Sequence, residues 1–133
     1  MKLLGSIWLT AFVGIAGCSD AAPKRTAVSG TVRVGGKPLE RGQVRFIPVE
    51  ASGPDAGGAI TDGKYTLTDT NGPVAGSCRV EIIGWRKTGK KHAPMGTPID
   101  EEVQCVPPEF NKKSTQVREI KKGETNTFDF DIP

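Results

Sequence analysis

The 133-residue chain holds one histidine, one tyrosine and two tryptophans, and these shortages exclude much. A single histidine cannot build a multi-histidine zinc site within one chain. A Ser-His-Asp triad would have to form around His92, and no Gly-x-Ser-x-Gly elbow accompanies it. A Cys–His pair with Cys78 or Cys105 is no better founded, because a disulfide would consume both thiols. Charge of one sign is also missing: 18 Lys and Arg stand against 15 Asp and Glu, a formal net charge of +3. That balance argues neither for nucleic acid nor for an acidic substrate. No segment carries the 3.6-residue period of a long amphipathic helix. No apolar run reaches the ~20 residues of a comfortable transmembrane helix. Nothing in these patterns calls for a cofactor.

Carboxylates are present, and calcium needs six to eight oxygens. Asp100-Glu101-Glu102 reads as a solvated face, and Asp129 and Asp131 occupy the outward positions of a half-buried strand. Neither group is read as a metal site.

The N-terminus has the order of a secretory signal peptide. Lys2 is followed by an apolar stretch from Leu3 to Ile15, which ends in the small residues Ala16-Gly17 before Cys18. Residues 1–17 are expected to be removed, which leaves a mature chain of 116 residues, 17 fewer than the full 133. The alternative is an ordinary signal peptide with a chance cysteine. Residues 18–25 read as a short polar tether, and 26–133 as one domain large enough for a single core.

Three cysteines occur: Cys18, Cys78 and Cys105. With Cys18 set aside, Cys78 and Cys105 are an even pair in an exported protein. They read as a disulfide worth roughly 3 kcal/mol in the chain-entropy model. Two free buried thiols are the alternative.

From Thr26 the hydrophobic pattern has period two. Val28, Gly30, Val32 and Val34 share one face. Val44 and Phe46 share another, with Gln43 and Arg45 opposite. Asp62-Gly63 between Ala59-Ile60-Thr61 and Lys64-Tyr65-Thr66-Leu67 is a strong hairpin signal, because both turn residues tolerate positive φ. Ser77 to Trp85 alternates with Cys78, Val80 and Ile82 inward. Lys87 to Pro108 shows little periodicity, contains four prolines and reads as a long loop. The chain closes with Thr115–Ile120, a Lys121–Glu124 turn, and Thr127–Ile132 with Phe128, Phe130 and Ile132 inward. About seven short strands argue for an all-β sandwich.

Ile15-Ala16-Gly17-Cys18 resembles the lipobox of bacterial lipoproteins. The resemblance implies that the Cys18 thiol receives acyl chains such as palmitate and that Cys18 becomes the first mature residue. Several chains anchor durably where one holds only marginally. Ser19 is not the aspartate of inner-membrane retention, so the same resemblance implies an outer-membrane destination.

Further along, Val28-Ser29-Gly30-Thr31-Val32 with Gly36-Lys37-Pro38-Leu39 looks like the opening of carboxypeptidase-regulatory-like domains. Gly42–Pro48, Thr61–Leu67, the Gly76 to Ile82 segment, Pro108–Asn111 with Ser114, and Phe128-Asp129-Phe130 are similar to the rest of that pattern. The resemblance covers nearly the whole mature chain. It implies a Greek-key β-sandwich of the transthyretin-like (prealbumin) type, and Cys78 and Cys105 depart from its usual pattern. These motifs are turns and core positions, so they speak to fold rather than activity. The hydroxyisourate hydrolases on this fold need several histidines and a C-terminal Tyr-Arg-Gly-Ser, whereas this chain ends Asp129-Phe130-Asp131-Ile132-Pro133.

The expectation is therefore a non-catalytic, lipid-anchored cell-envelope protein, a structural or protein-interaction module. Trp85, Arg86, Lys87, Lys90 and Lys91 form the candidate contact surface, for an envelope protein, polysaccharide or anionic headgroups. Against that stands the plainer reading: Trp85 caps the core and the lysines keep a loop soluble. A glycan-binding module using Trp85 and the basic loop is one alternative. A hydrolase dependent on His92 is another.

Overall fold

The computed structural model describes residues 24–50 and 53–133. The signal segment and Cys18 lie outside the described residues. Arg25, assigned to the tether, already belongs to the fold. It bridges Val74 in antiparallel fashion, and its Nη1 donates to the Gly72 carbonyl at 3.0 Å.

The described chain is all-β, with ten strands and no α-helix. The strands are β1 (Val28–Val34), β2 (Lys37–Pro38), β3 (Arg41–Pro48), β4 (Ala56–Thr61), β5 (Lys64–Leu67), β6 (Gly76–His92), β7 (Ile99–Gln104), β8 (Val117–Ile120), β9 (Asn126–Thr127) and β10 (Phe130–Ile132). A short 3-10 turn, Pro108–Phe110, follows β7. The expected count of seven falls short because β2 and β9 are two-residue pairings and because Lys87–Pro108 is not a loop.

The strands form one open sheet in the order β10-β1-β5-β4-β3-β6-β7, with β2 and β9 also on β1, and β8 on β6. Pairing is antiparallel except for β9 and β10, which run parallel to β1. β4 and β5 share only the Thr61–Lys64 pair. There the sheet turns over on itself and becomes sandwich-like. Asp62 (φ 50°) and Gly63 (φ 75°) make that turn, as their residue types require. Phe46 of β3 and Tyr65 of β5 meet across the interior with ring centroids 6.2 Å apart.

The period-two faces set the core. Val28, Val32, Val44, Phe46, Ile60, Tyr65, Leu67, Val80, Ile82, Ile120, Phe130 and Ile132 are all buried. Each large side chain among them contributes about 1.5–3 kcal/mol by leaving water. Ser114 fixes the strand-poor segment after β7, donating to the Val80 carbonyl and accepting from Gln116 N.

The closing strands do not pair with each other. β8 pairs with β6, while β9 and β10 cross to β1. Asn126 directs the crossing. Its side-chain oxygen accepts from Lys121 N at 2.9 Å, and its Nδ2 donates to the carbonyls of Lys121 (3.0 Å), Glu124 (3.1 Å) and Ala27 (3.5 Å).

The proposed Cys78–Cys105 bridge is corrected: both thiols are free. Cys78 lies opposite Pro48 and Arg118, near the start of β6. Cys105 N donates instead to the Gly84 carbonyl. Gly84 lies six residues beyond Cys78 on β6, roughly 20 Å at ~3.3 Å per residue. A disulfide spans no more than about 7 Å between Cα atoms. Burial raises the pKa of both thiols; Glu119 adds to the effect at Cys78, and Arg86 opposes it at Cys105.

Candidate functional site

β6 continues well past the body of the sheet. Its 17 residues cover up to roughly 50 Å at ~3.3 Å each. Residues up to Trp85 are buried or half-buried, and every residue from Arg86 to His92 is exposed. β7 returns beside it, so the expected loop is a projecting two-stranded ribbon. The four prolines did not prevent this, because none falls within either ribbon strand. Pro94 and Pro98 lie in the tip, and Pro107 and Pro108 follow β7.

The ladder pairs Trp85 with Gln104, Arg86 with Val103, Lys87 with Glu102, Lys91 with Asp100 and His92 with Ile99, with a bulge between Lys87 and Lys91. Gly89 (φ 86°) lies in that bulge. Thr88 bonds its hydroxyl to Glu101 Oε2 at 2.7 Å and accepts from Lys90 N at 3.3 Å.

The strand alternation gives the ribbon two unlike faces. One face is ionic. Lys87 Nζ lies 3.2 Å from Asp100 and Lys91 Nζ 3.9 Å from the same carboxylate, and Arg41 pairs with Glu102. The hydrogen bond to Asp100, followed by its charge, raises the Lys87 pKa. The other face carries Arg86, Val103, Thr88 with Glu101, and then His92 beside Ile99. Val103 is 39% exposed, Ile99 46% and the tip residue Met95 93%. Three of the five exposed large hydrophobics among the described residues therefore belong to this one ribbon.

The expected surface residues are thus brought together on one element but divided between its faces. Lys87 and Lys91 share one carboxylate of the opposite strand, Asp100. Trp85 lies at the ribbon's base, half-buried, with the Arg41 guanidinium 4.6 Å from its ring centroid. That ring face already holds a cation. His92 is exposed at the far end of β6. Among the described residues no three His, Cys, Asp or Glu side chains gather where they could hold a metal. Asp129 accepts instead from the Thr31 amide and hydroxyl, each at 2.9 Å.

Sequence reasoning missed Met95, Ile99 and Val103, and read Glu102 as part of a solvated face rather than as the partner of Arg41. The available signal was charge order: Lys87 and Lys91 precede Asp100 and Glu102 at spacings that pair across a hairpin. No family model, curated protein or solved structure matches the chain.

Proposed function

We propose that this protein is a lipid-anchored, non-catalytic module of the cell envelope, of the carboxypeptidase-regulatory-like class, that binds another envelope protein through its ribbon. The anchor rests on the lipobox-like ending at Cys18. The observation that carries the binding role is the ribbon itself. A two-stranded hairpin without its own core is marginal in water, yet this one extends from the body and exposes Met95, Ile99 and Val103.

Its placement supports the same reading. Arg25 bridges Val74, two residues before β6 begins, and the ribbon tip lies at the other end of that strand. A lipid on Cys18 would hold the Val74 end near the membrane and direct the tip away from it. The tip is then suited to a partner away from that bilayer rather than to its own headgroups. The glycan reading based on Trp85 is weakened, since a sugar would have to displace Arg41 from the ring.

The test uses the full chain in its native envelope. Metabolic palmitate labelling, with Cys18→Ser as the comparison, reads the anchor; an unlabelled wild-type protein overturns it. Mild cross-linking and detergent capture read the partner. A protein recovered in stoichiometric amount with wild type, and lost with Met95→Asp or Ile99→Asp, supports the ribbon. Equal recovery with these variants overturns it.

A further inference from the structure

The strand edges of this fold are unequally protected. Exposed edges accept foreign strands unless charge, proline or a covering element blocks them. β7 carries Asp100-Glu101-Glu102, β8 carries Arg118-Glu119, β10 carries Asp131 before Pro133, and the four-residue β5 begins at Lys64. β4 differs. From Ala56 to Ile60 it reads Ala-Gly-Gly-Ala-Ile, without charge or proline.

One side of β4 is fully used by β3, from Thr61–Arg41 to Ala56–Phe46. On the other side β5 pairs with it only at Thr61 before leaving to pair with β1, and the Leu67 side chain returns over the core face of Gly58. No backbone hydrogen bond outside the strand ladders reaches residues 56–60 among the described residues. The outer face behind this edge is a hollow of about 490 Å³ that runs from Gly57 and Ala59 across β3 to Glu81 and Ile83 of β6, so no bulky side chain of β4 stands over the edge. The small side chains leave a second backbone free to approach.

We propose that the free edge of β4 pairs antiparallel with β4 of a second copy of this chain. The edge is self-complementary. Centred on Gly58, the pairing sets Ala56 against Ile60 and Gly57 against Ala59. Because β5 occupies the edge beyond Ile60, the strand from the second copy stops there, and its Asp55 meets Lys64. The two-fold axis repeats this contact at the other end. Asp55 and Lys64 are both exposed and carry opposite charge. Arg45 Nη2 holds one oxygen of Asp55 at 2.5 Å and leaves the other for Lys64, so the ends attract where like charges would repel. The interface is short, and tethering both copies to one membrane, on the anchored reading above, raises their effective concentration.

The experiment places p-benzoylphenylalanine at the exposed position 59 of the full chain and irradiates intact cells. The expected product has twice the chain mass, with the cross-link joining position 59 to residues 55–60 of the other copy. Asp55→Lys and Lys64→Asp each reduce the product, and the double exchange restores it. Asp55→Lys also removes the exposed Arg45–Asp55 pair, so the melting midpoint of each variant is measured alongside the cross-link and is expected to fall by no more than about 5 °C. Absence of the product, a cross-link outside β4, attachment to a different protein, or failure of the double exchange to restore it overturns the proposal. Fractionation of the same cells reports separately whether the chain is membrane-bound.

Discussion

The Tyr65 hydroxyl donates to the Phe128 carbonyl at 2.7 Å, and Gly30 lies directly beneath the contact. A Cβ at Gly30 would fall 1.8 Å from that carbonyl oxygen and 2.7 Å from the hydroxyl. The pair joins β5 to the bend between β9 and β10 across β1. Tyr65→Phe removes the donor and should cost about 1–2 kcal/mol of unfolding free energy in urea. Gly30→Ala, which forces the carbonyl away, should cost more.

The same phenol makes a spectroscopic prediction. Burial, and then the charge of Asp129, raises the Tyr65 pKa well above 10. The folded state therefore resists losing this proton while the unfolded chain loses it near pH 10. Its contribution to stability is complete below that pH and declines as pH rises through it. Tyr65 is the chain's single tyrosine. Absorbance at 295 nm should rise only as the protein unfolds in base; a phenolate signal from intact protein would contradict this burial.

Free thiols predict indifference to reductant. Dithiothreitol should leave the melting midpoint unchanged, and denatured mature protein should titrate Cys78 and Cys105 without prior reduction. Under native conditions Cys105 should alkylate before Cys78, because it is only half-buried whereas Cys78 is 1% exposed. Alkylation of both at the same rate would contradict the placement.

Asn126 is 6% exposed and makes four hydrogen bonds. Asn126→Ala leaves backbone groups of the 121–126 turn without their partner and should cost about 2–3 kcal/mol by chemical denaturation. A loss below half a kcal/mol would show that the turn forms without it.

Arg41 covers Trp85 and pairs with Glu102. Arg41→Ala should cost only about 0.5–1 kcal/mol, the scale of an exposed cation–π contact. It should nonetheless make Trp85 fluorescence more sensitive to acrylamide in protein lacking residues 1–17, where Trp85 is the only tryptophan. Unchanged quenching would place the guanidinium elsewhere.

Much of the all-β body was legible because burial and period coincide there. Val44 with Phe46, Tyr65 with Leu67, and Val80 with Ile82 lie inward as their alternation predicts. Asp62-Gly63 turns the chain where its dipeptide signal requires. The ribbon was not legible by the same means. Exposed on both faces, it has no hydrophobic period to read, and its order comes from cross-strand pairing such as Lys87 with Glu102. The thiol pairing failed for a related reason. Cysteine count carries no distance, and only the register of β6 separates Cys78 from Gly84, where Cys105 is bound. The candidate surface was found as a region but not as a geometry: Lys87 and Arg86 are adjacent in sequence and face opposite ways.

The parallel seam between β1 and β10 sets a clock. Val32 lies opposite Phe130, and Val34 opposite Ile132. Val32 and Phe130 stand 98 positions apart in the chain, whereas the Asp62-Gly63 turn joins Thr61 to Lys64 across two residues. Pairing over so long a separation must meet its loop-closure entropy before any contact rewards it. The β1–β10 side of the sheet is therefore the slow one to form, and refolding should protect Val32 and Val34 only after the hairpin has closed.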